Sequence, residues 1–280
     1  MSFRLIVKAV FLIIVLVPAF FSDASGVEGR QAETGRLITE MAPPPPVTEK
    51  DKMYVETYYE PGDVLQGNRT GQWWENTTTF GYSHGKVSGY GSISQFSRLG
   101  VLDYTANIGS YVNIDKDQYV RGEIGFGWDV DYMYNLQTIL EYSHRLYKNM
   151  FWQIGYSYRA YEAGDSYVLY PGLIYYFGDN YISATYGPNW IEDRDTGFSG
   201  SVKGNFFITE FLQLWSGVAF GQRLYDIYGL DAHAENGFIL FGGITLKVYK
   251  GINVRVGGSY GEEEPKFIKR SLIFDASVKF

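Results

Sequence analysis

Serine–histidine neighbours occur twice in this 280-residue chain, and they are the first residues that could do chemistry. Ser83 precedes His84, and Ser143 precedes His144. A serine activated by a histidine is the nucleophile of many hydrolases and acyltransferases. Both pairs lie in segments whose pattern predicts β-strands, where consecutive side chains point to opposite faces. Neither serine can therefore bond its neighbouring histidine, and we expect both histidines to lie among interfacial aromatic residues.

The third histidine, His233, lies in an acidic segment with Asp226, Asp231 and Glu235. Carboxylates of this kind could hold calcium or another divalent cation, but a calcium loop spaces its ligands regularly. No regular spacing is present here. The sequence therefore predicts a solvated acidic loop, with no metal site, no cofactor and no catalytic residue.

The elements that position these residues are strands, because apolar and polar residues alternate along most of the chain. Trp74, Thr78, Phe80 and Tyr82 share one face, and the pattern returns with Val120, Ile124, Phe126 and Trp128. A period of two is the signature of a strand. The chain is also rich in tyrosine (25), phenylalanine (19) and tryptophan (6). Such side chains form belts at both interfaces of membrane-spanning barrels, so we predict that the apolar face meets lipid.

The opposite, polar face is then expected to line a lumen. Its charged members are the candidate functional residues: Asp103, Arg121, Glu123, Asp129, Glu141, Arg159, Lys203, Lys247, Arg255 and Asp275. Their mixed signs do not form a strongly ion-selective ring. They suit an internal network or a weakly selective polar pore. Tyr111 and the arginines could also stack against sugar rings.

The first residues predict export. Arg4 and Lys8 precede an apolar run from Ala9 to Phe21, which is typical of a signal peptide and too short for a membrane-spanning helix. We expect residues 1–24 to be a signal peptide, residues 25–52 a periplasmic proline-rich leader, and residues 53–280 the barrel. The whole chain has a net charge of −7, and residues 1–24 carry +1, so the chain without its signal peptide has a net charge of −8. A nucleic-acid-binding protein would instead show a basic surface.

Turn signals divide the alternating region into about fourteen strands, with twelve as the fallback. The tight turns lie at residues 85–86, 115–117, 148–149, 178–180, 209–210 and 250–251, and longer connections are expected at 61–72, 191–196, 223–236 and 262–266. Counting back from a periplasmic carboxyl terminus gives an even number of strands, as bacterial barrels have. That count uses Met53–Tyr59 as the first strand.

The last strand presents one apolar face that ends on an aromatic carboxyl terminus. Its members are Leu272, Phe274, Ala276, Val278 and Phe280. This pattern resembles the closing strand of outer-membrane barrels, which the barrel assembly machinery reads as a signal. The resemblance implies that machinery, outer-membrane lipid and lipopolysaccharide as partners.

From about Tyr54 to Phe280 the order of strands and turns resembles the YaiO family of outer-membrane barrels. The residues that carry the resemblance are Gly155–Arg159 (GYSYR) and Tyr170–Tyr181 (YPGLIYYFGDNY). The resemblance implies an all-β transmembrane barrel in the bacterial outer membrane, sometimes associated with envelope glycans or exopolysaccharide. It supplies no catalytic residues.

The sequence thus predicts a polar-lumen barrel for the passage or handling of envelope glycan or small polar solutes. Two alternatives stay open. One is a membrane-embedded hydrolase or acyltransferase acting on envelope lipid, and the other is a structural barrel that binds a periplasmic protein through its leader.

Overall fold

A computed structural model describes residues 48–162, 164–191, 196–222, 236–263 and 267–280. Within these residues the chain is a closed, antiparallel barrel of fourteen strands in which each strand pairs with its neighbours in sequence. The strands are β1 Thr48–Gln66, β2 Arg69–Gly85, β3 Val87–Arg98, β4 Val101–Asn113, β5 Gln118–Trp128, β6 Leu136–Tyr147, β7 Met150–Tyr161, β8 Gly164–Phe177, β9 Asn180–Ile191, β10 Gly197–Phe207, β11 Leu212–Gln222, β12 Asn236–Tyr249, β13 Ile252–Glu263 and β14 Phe267–Lys279. The predicted fold and the higher strand count are both confirmed.

The barrel closes because β1 pairs with β14 as well as with β2. Tyr54 lies opposite Lys279 on one side and Gly81 on the other. The backbone N–H of Phe280 also donates to the carbonyl of Met53 at 2.9 Å. Closure leaves no unpaired sheet edge, which is the condition for strands to cross a bilayer. In the part of the chain that is described, no helix is long and apolar enough to cross a membrane.

The two ends of the barrel differ. We call the end that holds the chain's carboxyl terminus the turn end, and the opposite end the loop end. All six predicted tight turns lie at the turn end, which faces the periplasm in outer-membrane barrels. Gly178 and Gly251 have φ values of 67° and 80° there, the left-handed conformation that short hairpin turns require.

Two boundaries differ from the sequence prediction. The region 61–72 is not a long loop, because β1 continues to Gln66 and β2 begins at Arg69. Pro61 is tolerated within β1 because its missing N–H falls where the pairing with β14 skips two residues. β1 also begins at Thr48, opposite Gly85 of β2, so the barrel takes the last residues assigned to the leader. The rest of the leader and the signal peptide lie outside the described residues.

Outward side chains form an apolar wall with aromatic pairs near both ends. Tyr104 stacks on Trp128 near the loop end, with ring centroids 5.9 Å apart. Tyr142 meets Trp152 edge to face at 5.5 Å near the turn end. Phe80 and other large apolar residues on this face are exposed. The wall therefore has the two interfacial belts of a membrane barrel.

Candidate functional site: the barrel lumen

Most of the predicted lumen residues do face inward. Five are buried, namely Asp103, Arg121, Glu123, Arg159 and Lys203. Three more, Glu141, Arg255 and Asp275, are half-buried in the inward register. Lys247 is exposed near the turn end of β12, and Asp129 lies just beyond β5, exposed and with a φ of 51°. The alternating pattern predicted that Asp129 faces the lumen. This prediction was wrong, because β5 ends at Trp128 and Asp129 lies outside the strand.

Arg121 is the centre of the largest charged network in the lumen. Its guanidinium lies 2.8 Å from a carboxylate oxygen of Glu123 and 3.3 Å from one of Glu141. It also donates to the Tyr90 hydroxyl at 3.0 Å, and that hydroxyl donates to Glu123. Because Arg121 and Glu123 are buried, their ion pair needs such additional hydrogen bonds to offset the cost of desolvation.

Gln137 extends this network to a second arginine. Its side-chain amide donates to Glu123 at 2.9 Å, and its oxygen accepts from Arg159 at 2.7 Å. The Arg159 guanidinium lies 5.6 Å from the Tyr134 ring, whose hydroxyl donates to Asn107 at 2.7 Å. Arg121, Glu123 and Glu141 are therefore ion-paired, and Arg159 joins them through the Gln137 amide.

A second polar cluster was missed by the sequence reasoning. Glu60 on β1 forms an ion pair with Lys269 on β14 at 3.1 Å and accepts hydrogen bonds from Ser259, Ser271 and Tyr58. It joins β1 to β14 from the inside. Glu60 lies at an even-numbered position of β1, and the side chains at these positions point inward. The neighbouring Pro61, however, suggested a loop at this point of the sequence.

The connection between β5 and β6 folds into the lumen, which the sequence did not predict. Asp103 on β4 accepts hydrogen bonds from the backbone N–H groups of Asp131, Tyr132 and Met133, at 3.0, 2.9 and 2.7 Å. We call residues 129–135 the inward loop. Three of its side chains are buried, those of residues 132–134. A carboxylate that accepts several backbone N–H bonds is a strong local anchor.

Glycines on β5 make room for this loop. A Cβ on Gly127 would lie 2.2 Å from the carbonyl oxygen of Tyr134, and one on Gly125 would lie 2.0 Å from the Asn107 amide oxygen. A side chain at either position would occupy the space that the loop and its partner fill.

Apolar side chains fill the lumen at the loop end. Val64, Trp73, Ala219, Ile239 and Phe267 form one buried cluster. Its members come from β1, β2, β11, β12 and β14, so the cluster bridges strands that are not neighbours in the wall.

Arg98 links this cluster to the inward loop. Its side chain is fully buried, with the guanidinium carbon 4.4 Å from the Trp73 ring centroid, 5.5 Å from Phe267 and 5.8 Å from Tyr132. A guanidinium stacked on aromatic faces in this way contributes attraction beyond simple burial.

Beneath the inward loop lies a cavity of about 240 Å³, which we call the chamber. Thirteen residues line it: Tyr54, Glu56, Thr79, Tyr90, Ser92, Asn107, Tyr111, Arg121, Glu123, Met133, Tyr134, Gln137 and Arg159. Met133 and Tyr134 belong to the inward loop, so the loop forms part of the chamber wall. Three predicted residues, Arg121, Glu123 and Arg159, meet here.

A second charged pair adjoins the chamber, because the carboxyl group of Asp275 interacts with Glu56, which lines the chamber. The Arg255 guanidinium is 3.9 Å from a carboxylate oxygen of Asp275 and 5.3 Å from the Trp215 ring centroid. Both charges were among the predicted lumen residues. No direct ion pair with Arg121 is found among the described residues, and Glu56 lies between this pair and the chamber.

In both serine–histidine pairs the serine points inward and the histidine points outward, as predicted. Ser143 is buried and donates to the carbonyl of Trp152 at 3.1 Å, whereas His144 lies on the outward face beside Tyr142. Ser83 is buried, and His84 is exposed. His233 and its acidic neighbours lie outside the described residues. Among the residues that are described, no group of three or more metal-ligating side chains is found.

The apolar residues of the last strand face outward. Leu272, Phe274 and Phe280 are exposed, and Ala276 and Val278 lie half-buried on the same face. Their recognition by an assembly machinery stays a prediction.

The fold is shared with solved outer-membrane proteins. No family model matches the sequence, and no curated protein matches it. A bacterial polysaccharide outer membrane secretin matches with a TM-score of 0.57 and 9% identity over 84% of this chain and 100% of that chain. Omp33 of Acinetobacter baumannii (TM-score 0.50, 10% identity, covering 82% and 99%) and an outer membrane channel from Pseudomonas putida F1 (0.50, 11%, 86% and 100%) are also similar. Together with the apolar wall, this fold makes the chain an integral, multi-pass outer-membrane β-barrel.

Proposed function

We propose that this barrel passes or handles envelope glycan, such as exopolysaccharide, or small polar solutes through its lumen. The observation that carries the proposal is the chamber. It is a cavity inside a membrane barrel, lined by charged side chains of both signs, by polar side chains and by four tyrosines.

The balance of charge in the chamber favours an uncharged polar ligand. The lining contains two arginines, Arg121 and Arg159, and two glutamates, Glu56 and Glu123, so its formal charges cancel. Ion-selective pores instead present rings of one sign. A polar solute that enters would exchange hydrogen bonds with paired groups rather than neutralise a bare charge.

The aromatic lining favours sugars among uncharged solutes. Four of the lining residues are tyrosines, namely Tyr54, Tyr90, Tyr111 and Tyr134. Such side chains combine an apolar face with a polar tip, which matches the apolar faces and hydroxyl rims of a sugar ring. The Arg121 guanidinium lies 5.5 Å from the Tyr111 ring, so cation and ring form one surface.

The size of the chamber sets how much ligand it holds. Its volume of about 240 Å³ is below the range of roughly 300–1,000 Å³ for pockets that enclose drug-sized ligands. A short piece of glycan or a single small solute fits this volume. Because Met133 and Tyr134 of the inward loop form part of the wall, release of that loop would widen the chamber.

The structural neighbours support the proposal only through their fold. The first is a bacterial polysaccharide outer membrane secretin, and the Pseudomonas protein is an outer membrane channel. The case for this chain rests on its own chamber.

The test is binding of neutral and charged trisaccharides to the refolded barrel, measured by calorimetry. Maltotriose and chitotriose serve as neutral probes, and a trigalacturonate serves as the anionic probe. We expect Tyr111→Ala to weaken neutral binding at least tenfold. Tyr158→Ala is the matched control, because Tyr158 lies on the outward face of β7. A folded barrel that binds none of these probes and gives no ion conductance would contradict the proposal.

A further inference from the structure

Three aromatic side chains meet inside the barrel at its turn end. Phe151 is the second residue of β7, Tyr181 is the second residue of β9, and Tyr176 is the last but one of β8. The Tyr176 ring lies 5.6 Å from the Phe151 ring, edge to face, and 6.0 Å from the Tyr181 ring. These three residues form one aromatic surface, which we call the mouth arc.

The mouth arc is not part of the interfacial belts, because its side chains face the lumen. Two residues further into the same strands, Gln153, Ile174 and Ser183 are buried. Alternate residues of a strand share a face, so the three aromatic residues point inward as well. The belts of a membrane barrel lie on its outer wall, where aromatic rings meet the lipid headgroups. The mouth arc therefore needs a different explanation.

Filling of the lumen does not explain the mouth arc either. At the loop end, Trp73, Phe96 and Phe267 are at most 1% exposed, as expected of rings that close off the interior. The three rings of the mouth arc are only half-buried, so each keeps part of its surface open to the lumen. Aromatic surface that stays exposed as one contiguous patch is typical of a binding site.

The two tyrosine hydroxyls of the mouth arc are available to a ligand. Deeper in the lumen, the Tyr134 hydroxyl is used by the protein itself and donates to Asn107 at 2.7 Å. Among the described residues, no hydrogen bond of the Tyr176 or Tyr181 hydroxyl is found. A sugar ring has apolar faces and a rim of hydroxyls, so it can stack on such a ring and bond to its polar tip.

The charges around the mouth arc are balanced. The Arg145 guanidinium carbon lies 5.1 Å from the Phe151 ring centroid, and this arginine pairs with Asp117 at 3.0 Å. The Tyr181 hydroxyl interacts electrostatically with Arg255, whose ion pair is described above. The mouth arc itself is uncharged. It therefore suits a neutral polar ligand better than an ion, as the chamber does.

Tyr119 connects the mouth arc with the chamber. It is buried on β5, and its hydroxyl interacts electrostatically with those of Tyr176 in the mouth arc and Tyr111 in the chamber wall. The Tyr111 ring lies 5.9 Å from the ring of Tyr90, another chamber residue. Tyrosines thus follow one another from the turn end to the chamber. In outer-membrane barrels the turn end faces the periplasm.

We propose that the mouth arc is a second saccharide site, which lies between the periplasm and the chamber and binds neutral glycan. This inference rests on the proposed function, because it takes the same class of ligand. It adds a separate place of binding and names the residues that form it. The ring faces of Phe151, Tyr176 and Tyr181 stack on the sugar, and the two hydroxyls bond to its rim.

The test uses two cysteine reporters in a chain that has no cysteine of its own. Arg145→Cys places a half-exposed thiol opposite Phe151 at the mouth arc. Thr79→Cys places a thiol in the chamber wall. Each folded barrel is labelled with a water-soluble maleimide, with and without saturating maltotriose. Bound saccharide slows the labelling of the thiol that it covers.

We expect maltotriose to slow labelling at least fivefold at both reporters. Replacing Tyr176 and Tyr181 together with alanine should abolish the protection of Arg145→Cys and leave that of Thr79→Cys. Tyr175→Ala is the matched control, because Tyr175 is the outward neighbour of Tyr176 on β8 and should change neither. Resistance to detergent at room temperature confirms folding, and Tyr181→Ala alone serves if the double variant does not fold.

The outcomes separate this inference from the proposed function. Protection of Thr79→Cys alone, or protection of Arg145→Cys that survives both tyrosine replacements, would overturn the mouth arc and leave the chamber. Loss of protection at both reporters in the double variant would overturn a separate site. Protection of neither reporter in the otherwise unchanged barrel would overturn both proposals.

Discussion

Replacing Asp103 with alanine is the sharpest perturbation of the lumen, because one side chain anchors the whole inward loop. The carboxylate is fully buried and accepts three backbone N–H bonds from residues 131–133, at 2.7–3.0 Å. Alanine leaves these three donors facing the lumen with no acceptor. The strand ladder does not use this side chain, so the barrel itself should keep its fold.

The expected magnitude follows from the three bonds. Hydrogen bonds to charged groups contribute ~1.5–3 kcal/mol each, so the set has an upper limit of roughly 9 kcal/mol. Water recovers part of this when the loop is released. Because ~1.4 kcal/mol is a factor of ten in an equilibrium, a net loss of only about 3 kcal/mol raises the released population more than a hundredfold.

The assay is hydrogen exchange of the amides of residues 131–133, together with thiol labelling of a Met133→Cys reporter. Asp103→Ala should increase both the exchange rate and the labelling rate by at least a hundredfold. Asp129→Asn is the control, because Asp129 is exposed in the same loop and asparagine tolerates its φ of 51°. If amides 131–133 stay as protected in Asp103→Ala as in the wild type, then Asp103 does not hold the loop.

Three further predictions follow from the same contacts. Arg121→Met leaves the carboxylates of Glu123 and Glu141 without their cation, so we expect a loss of about 3–5 kcal/mol in the free energy of unfolding, measured in urea with the barrel in lipid; an unchanged midpoint would refute the ion-pair account. Gly127→Ala puts a methyl group 2.2 Å from a loop carbonyl, so it should raise labelling of the inward loop as Asp103→Ala does, whereas loss of the barrel or no change would count against the packing described. Deletion of Phe280 should lower the amount of assembled barrel in cells while the purified chain still refolds in vitro, and normal assembly would remove the proposed signal.

The wall of the barrel could be predicted from the sequence because each strand repeats one local rule. An outward apolar residue alternates with an inward polar one, and at the turn end of the barrel a turn of one to four residues joins each strand to the next. The prediction failed at Pro61 because a proline usually ends a strand. Here β1 continues through Pro61, whose missing N–H lies where β1 is not paired with β14.

The filling of the lumen could not be predicted because it depends on contacts across the barrel. Arg98 and Trp73 belong to alternating strands, yet nothing local shows that Phe267 lies beside them. The inward loop depends on one carboxylate about thirty residues earlier in the chain. The sequence alone predicts that Asp103 points inward. It does not predict the three backbone N–H groups that donate hydrogen bonds to its carboxylate.

Some of the lumen could have been anticipated. Gly125 and Gly127 lie on the inward face of β5, where absent side chains leave room for another element. The turn after Trp128 is followed by Tyr132, Met133 and Tyr134, which are unusual residues for a solvated loop. Together these two signals point to an inward-folded connection.

The most direct test of the central claim is single-channel conductance of the refolded barrel in a planar bilayer. A polar lumen covered by the inward loop predicts small steps in the wild type, larger steps in Asp103→Ala, and a changed cation-to-anion preference in Arg255→Ala. Silence from all three folded barrels would contradict a polar path through the lumen.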